Sequence, residues 1–206
     1  LAFGIIDDDA LRAKVVGNLA QTLLRPGTTD NGINCPPYSL MTGFITTAWI
    51  SKALSDNGRS DLAYRLLQQT SYPSWLYPVT QGATSIWERL DSYTKERGFG
   101  GNNSMNSFNH YSFGAVGQWL MAYSLGIDRD PSAPGFKHFI LHPEADPTGQ
   151  MTWAEGWYDT PYGRIESSWK RSGGKAAKCS AGGGGSPRPT GGECAVFGGL
   201  WGRPAS

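Results

Sequence analysis

The sequence predicts a mainly α-helical fold with a β appendage. Three observations predict it. Apolar residues recur at a helical period in several separate stretches of the first 126 residues. After residue 130 the period changes to an alternation. The two patterns do not interleave, which argues for helices and strands in separate packed units rather than a parallel α/β sheet. At 206 residues the chain is long enough for one medium domain, or for one domain and part of another.

Residues 8–25 read as the first helix. Asp7, Asp8 and Asp9 offer capping oxygens and suit the positive end of the helix dipole. Leu11, Val15, Leu19 and Leu23 then form one stripe, and Arg25-Pro26-Gly27 ends it. A polar loop with Pro36-Pro37 leads to a second helix from about Gly43 to Asp56, closed by Asn57-Gly58. A third starts near Ser60 and presents Leu62, Ala63, Leu66 and Leu67. So short a link predicts antiparallel neighbours, an αα-hairpin.

Between Tyr72 and Asn106 no period is visible, and compact domains rarely carry so long an irregular stretch unless it forms a lid or a binding site. A strong helical period follows over Phe108, Ser112, Ala115, Val116, Trp119, Leu120 and Tyr123. Gly114 and Gly117 remove side chains from it and would admit a neighbouring backbone; Gly126 closes it. Phe136–Leu141 reads as a strand. Alternation over Met151, Trp153, Glu155 and Trp157, turn residues from Asp159 to Gly163, and alternation over Ile165, Ser167 and Trp169 predict a β-hairpin. The last 34 residues hold 11 of the 28 glycines and few large apolar side chains, so residues 173–206 are expected to be a Gly-rich disordered tail.

Composition excludes several classes of function. Eighteen Lys and Arg against 17 Asp and Glu leave a net charge of +1, without the basic surplus that nucleic acid requires. No apolar run approaches the roughly 20 residues of a membrane span. Cys35, Cys179 and Cys194 are odd in number and show no CxxC spacing, which argues against both a zinc site and a disulfide framework. No metal or other cofactor is expected. No GxSxG elbow or phosphate-binding glycine loop occurs. The chain opens LAFGIIDDDA, with no initiating Met or basic leader, and reads as the middle of something longer.

What remains is carboxylate chemistry beside aromatics, of which there are 8 Trp, 9 Tyr and 8 Phe. Glu88 stands between Trp87 and Arg89 in the irregular stretch. A carboxylate beside a cation, with an indole limiting water, is what a general base needs. A solvated Glu–Arg surface pair has the same spacing, and spacing alone favours it. Asp91 reads as a cap or loop acceptor. His110 lies at the first turn of the strong helix, where it serves either as a donor to a ligand hydroxyl or as a satisfied structural residue. Trp75 is a sugar platform or, by the commoner use of indoles, core.

Together these stretches resemble the α-L-rhamnosidases of glycoside hydrolase family 78. The resemblance rests on Thr42-Gly43-Phe44, Ala53-Leu54-Ser55-Asp56, Gly58-Arg59 and Tyr72-Pro73-Ser74-Trp75-Leu76-Tyr77. It is strongest at Gly82-Ala83-Thr84, Ile86-Trp87-Glu88-Arg89 and the block from Met105 to Gly114, and continues through Pro134-Gly135-Phe136, Tyr158 to Gly163 and Trp169-Lys170. It implies a partial (α/α)6 six-hairpin barrel over residues 1–130, the first strands of a C-terminal β-sandwich over 131–172, and an inverting glycosidase that acts on a rhamnose-containing glycoside or oligosaccharide. It implies Glu88 as general base and His110 as a contact to the rhamnose ring, with Trp87, Trp75 and Arg89 around the substrate. The family's general acid lies in an acidic motif well upstream, and Asp7-Asp8-Asp9 is a helix start instead, so the chain is expected to be a fragment inactive alone. Other readings are another (α/α)6 glycosidase, or a carbohydrate-binding or structural remnant without turnover.

Overall fold

The first helix, α1, spans Asp9–Thr22 and begins where the three aspartates predict: Asp8 is the N-cap, its carboxylate accepting from the Leu11 amide at 2.6 Å. A computed structural model describes residues 1–100, 104, 106–172 and 175–183, the last stretch and Ser172 by backbone alone. Helix α1 stops three residues before the predicted end because Arg25, ahead of Pro26, takes a left-handed φ of 55°. Its apolar stripe is only half covered: Leu11 remains 51% exposed, and Leu23, just past the helix, is the position fully closed off.

The loop after α1 holds an unpredicted β-hairpin, β1 (Thr29–Asp30) with β2 (Ile33–Asn34). Its two-residue turn is Asn31-Gly32, with φ of 49° and 76°, the pair that type I′ turns demand. Arg25 anchors the loop from beneath, donating through Nε and Nη2 to the Ser39 carbonyl at 3.1 and 2.8 Å.

Helix α2 (Phe44–Asp56) and α3 (Ser60–Gln68) pack on each other as the short link predicts. Gly58, at φ 71°, donates to the Ser55 carbonyl and Arg59 to that of Leu54, so both orphan carbonyls are closed in a Schellman motif. Ile50 and Leu54 of α2 and Leu62, Ala63, Tyr64 and Leu66 of α3 are buried. The irregular stretch contains one short helix, α4 (Leu76–Thr80), and otherwise turns.

The strong helical period is realised differently from the prediction. Helical backbone starts at Ser112, not Phe108: a 3-10 turn over Ser112–Ala115, then α5 (Val116–Trp119), then a π turn over Leu120–Ser124. Residues 107 and 110 cannot join a helix because their main-chain groups pair with residues 86 and 88. Among the described residues neither Gly114 nor Gly117 lies against a neighbouring backbone; a Cβ at Gly114 would meet the Ile86 side chain, at 3.5 Å.

Two units divide the described chain, Leu1–Val116 and a second starting at Gly117. In the second, β3 (Ile127–Arg129) pairs antiparallel with β4 (Phe139–Leu141). Strands β5 (Trp153–Thr160) and β6 (Gly163–Ser172) form the predicted hairpin, with Thr160 opposite Gly163 around Pro161-Tyr162. Leu125, Ile127 and Ile165 make its core, with Met121, Phe136, Phe139, Leu141 and Ala154 packed against them. Composition placed order's end at residue 173, yet Lys175–Gly183 forms a further strand, β7, antiparallel to β6 with a register shift at Trp169/Lys170. A strand on an existing edge draws on main-chain hydrogen bonds, which glycine and alanine supply as well as larger residues. The remainder of the expected tail, 184–206, lies outside the described residues.

Candidate functional site

All five residues singled out for chemistry lie in the first unit. The link that assembles them is a short main-chain lacing between two stretches about twenty residues apart. The Glu88 amide donates to the Ser107 carbonyl at 2.8 Å, and the His110 amide donates to the Ile86 carbonyl at 2.9 Å. Ser85 Oγ adds a bond to the Phe108 carbonyl at 2.5 Å. These bonds set positions 86–88 beside positions 107–110.

The Glu88 carboxylate joins the same lacing. Its Oε2 accepts from the Ser107 amide at 2.8 Å, which fixes the carboxylate against the opposing strand of the loop. The residue is half-buried. His110 sits ahead of the first helical turn, not within it, which corrects the helix-start placement. Its ring stacks on Phe44 of α2, centroids 4.8 Å apart, and lies parallel to Tyr111 at 5.7 Å. Its Nδ1 faces the Ser112 amide at 3.5 Å. With Nδ1 accepting, a neutral ring carries its proton on Nε2 and presents a donor there.

Beside this lacing, four aromatic rings close a circuit. Trp87 meets Phe108 at 5.2 Å, Phe108 meets Phe99 at 5.5 Å, Phe99 meets Tyr93 at 5.2 Å, and Tyr93 returns to Trp87 at 6.5 Å, each pair edge to face. Such pairs add about 0.5–1.5 kcal/mol each beyond their area burial. Trp87 is 6% exposed, so its indole packs within this group rather than offering a face to solvent. Phe99, by contrast, is 59% exposed. Of these rings, Tyr93 belongs to the irregular stretch that the sequence marks for chemistry, Phe108 reads in the sequence only as part of the strong helix, and Phe99 carries no sequence signal beyond the density of rings around Glu88.

Trp75 is likewise enclosed, 9% exposed, with Nε1 donating to the Phe113 carbonyl at 2.9 Å. That bond ties the 72–77 stretch to the residues just after His110. Arg89 is half-buried, and its carbonyl accepts from both the amide and the hydroxyl of Ser92. Asp91 takes the loop-acceptor role, receiving Arg97 Nη2 at 3.3 Å. Tyr72 donates its phenol to Asp30 Oδ2 at 2.5 Å, joining the β1–β2 hairpin to the irregular stretch. Burial, and then that carboxylate, push the Tyr72 phenol well above its ordinary range. Among the described residues no cluster of three His, Cys, Asp or Glu side chains is placed to hold a metal. Nor is any helix among them long and apolar enough to cross a membrane.

A carboxylate held at one oxygen, an imidazole with a donor to offer, and a wall of aromatic rings are suited to a polar, ring-shaped substrate. Comparison with known proteins narrows the class. Residues 1–123 match the family described as bacterial alpha-L-rhamnosidase 6 hairpin glycosidase domain, and residues 126–180 match bacterial alpha-L-rhamnosidase C-terminal domain. The chain is 38% identical over 167 residues to an alpha-L-rhamnosidase of Streptomyces avermitilis, covering 79% of this chain and 16% of that protein. It is 44% identical over 131 residues to an alpha-L-rhamnosidase of Formosa agariphila, covering 64% of this chain and 14% of the relative. The crystal structure of the Streptomyces avermitilis alpha-L-rhamnosidase complexed with L-rhamnose superposes with a TM-score of 0.70 at 33% identity, over 84% of this chain and 15% of that one. The chain thus spans about one sixth of the length of such relatives.

Proposed function

The chain belongs to the bacterial alpha-L-rhamnosidase family, and from that premise we propose that it is part of an inverting glycoside hydrolase that releases terminal α-L-rhamnose from glycosides or oligosaccharides. Residues 1–130 are then the C-terminal part of an (α/α)6 barrel, and residues 131–172 the opening of a β-sandwich.

Inversion needs two carboxyl groups about 6.5–9.5 Å apart, one to protonate the departing oxygen and one to activate water on the opposite face. Glu88 is the second. The observation that carries this reading is the Ser107 amide on Glu88 Oε2. It holds the carboxylate in one orientation and leaves Oε1 to take a proton from the attacking water. His110 Nε2 donates to a hydroxyl of the sugar, its ring braced by Phe44. Arg89 contributes charge at the rim. Trp87 and Trp75, enclosed as they are, bear on the substrate by holding the loops that carry Glu88 and His110. The resemblance implies a general acid in a separate acidic motif, and Asp7-Asp8-Asp9 caps a helix instead, so this reading assigns one partner of the pair to the chain.

Two preparations test this. The chain alone is expected to release no rhamnose from an aryl α-L-rhamnoside above the uncatalysed background. A chimaera, in which this chain replaces the segment it aligns with in the Streptomyces avermitilis enzyme, is expected to hydrolyse the same compound. Robust turnover by the chain alone would contradict the half-pair reading. A folded chimaera that binds rhamnose without cleaving it would point instead to a binding module.

A further inference from the structure

The second unit carries an exposed surface of its own. In the β5–β6 hairpin, strand pleating sends alternate residues to opposite faces. One face is closed: Ile165, Ser167 and Trp169 are buried, Ser167 Oγ donates to the Leu125 carbonyl, and Trp169 Nε1 to that of Ser124. On the same face a Cβ at Gly156 would lie 2.5 Å from Leu125 Cδ1. The register therefore turns Trp153, Glu155, Trp157 and Asp159 outward, opposite Lys170, Ser168, Glu166 and Arg164.

Two indoles stand on this outer face, 60% and 56% exposed. Their positions are four residues apart on one strand, so about 13 Å separates them, a span that an oligosaccharide bridges and a single sugar ring does not. Trp157 is braced: the Arg164 guanidinium lies over its ring at 5.2 Å, and Asp159 grips that guanidinium at 2.7 and 3.1 Å. One side of the indole is thus occupied and the other turned outward, an arrangement ordered before any ligand arrives.

We propose that the outer face of β5–β6 is a second carbohydrate-binding surface, on which Trp153 and Trp157 stack against two separated rings of one oligosaccharide. Glu155, Glu166 and Lys170 supply acceptors and donors for their hydroxyls. The choice of carbohydrate rests on the proposed function; the face itself does not. A second copy of the chain is the weaker occupant. Two indoles at this exposure present roughly 300 Å² of apolar surface, whereas stable interfaces bury about 800 Å² per partner. Glu155, Asp159, Arg164, Glu166 and Lys170 crowd the same face, which opposes dry packing of another sheet against it.

The test is titration of the full 206-residue chain with a short α-L-rhamnan oligosaccharide, read by tryptophan fluorescence and by calorimetry. Trp153→Ala and Trp157→Ala should each weaken binding about tenfold without changing the circular dichroism. His110→Ala should leave the sheet-face binding in place, so failure of the active-site reading and failure of this one give different patterns. Binding abolished by His110→Ala but untouched by the two tryptophan variants would overturn the proposal, as would no binding at all. Sedimentation showing a dimer that Trp153→Ala dissolves would overturn it in favour of self-association.

Discussion

Glu88→Gln in the Streptomyces avermitilis chimaera is expected to lower kcat for rhamnoside hydrolysis by about 100- to 10,000-fold, the contribution of a positioned general base. Rhamnose binding should change little. The substitution keeps the side-chain length, and the glutamine oxygen can still accept the Ser107 amide that holds Glu88 Oε2 at 2.8 Å. What disappears is the capacity to take a proton from water. A loss confined to KM would mean that the residue serves ground-state binding instead. Near-normal turnover would remove Glu88 from the reaction.

The largest effect on stability is expected at Gly126→Ala. Gly126 sits at φ 72° between the π turn and β3, and its carbonyl accepts from the His142 amide at 2.8 Å. A Cβ there would fall 2.1 Å from the carbonyl carbon of His142 and the nitrogen of Pro143, both main-chain atoms. Left-handed backbone costs a non-glycine residue about 1–2 kcal/mol, and displacing packed structure costs about 1–3 kcal/mol more. A loss of about 2–5 kcal/mol is therefore expected, measured as urea unfolding of the chain and as earlier proteolysis within 117–183. Gly156→Ala meets the tip of a side chain, Leu125 Cδ1, which can turn aside, and should cost less. Equal stability of Gly126→Ala and the parent would contradict the close approach of the 126 and 142 segments.

Local signals were legible in the sequence, and those that depend on distant partners were not. Helix α2 and its junction to α3 follow from Asn57-Gly58, because a Schellman closure is built from residues within one turn. Asn31-Gly32 carries an equally local hairpin signal, but its strands of two residues each are too short to show an alternation. Phe108 to Tyr111 shows the opposite case. Its apolar spacing is helical, but its main chain is committed to residues twenty positions earlier, and no window on the sequence reveals that. Strand β7 follows from an edge left open by β6 rather than from its own side chains.

The candidate site divides the same way. Glu88 and His110 stand out as residue types, whereas their juxtaposition comes from the Glu88–Ser107 and His110–Ile86 bonds. Indoles were readable as a class but not by direction. Trp75 and Trp87 turn inward, while Trp153 and Trp157 turn outward, because alternation identifies two faces of a strand without saying which one meets the core.

Azide rescue is the most direct measurement of the role assigned to Glu88. In the chimaera carrying Glu88→Ala, azide enters the space of the lost carboxylate and attacks C1 as the aglycone oxygen takes a proton from the acid. Restored turnover with β-L-rhamnosyl azide as the product is the predicted result. No rescue, or an azide product of retained α configuration, would contradict it.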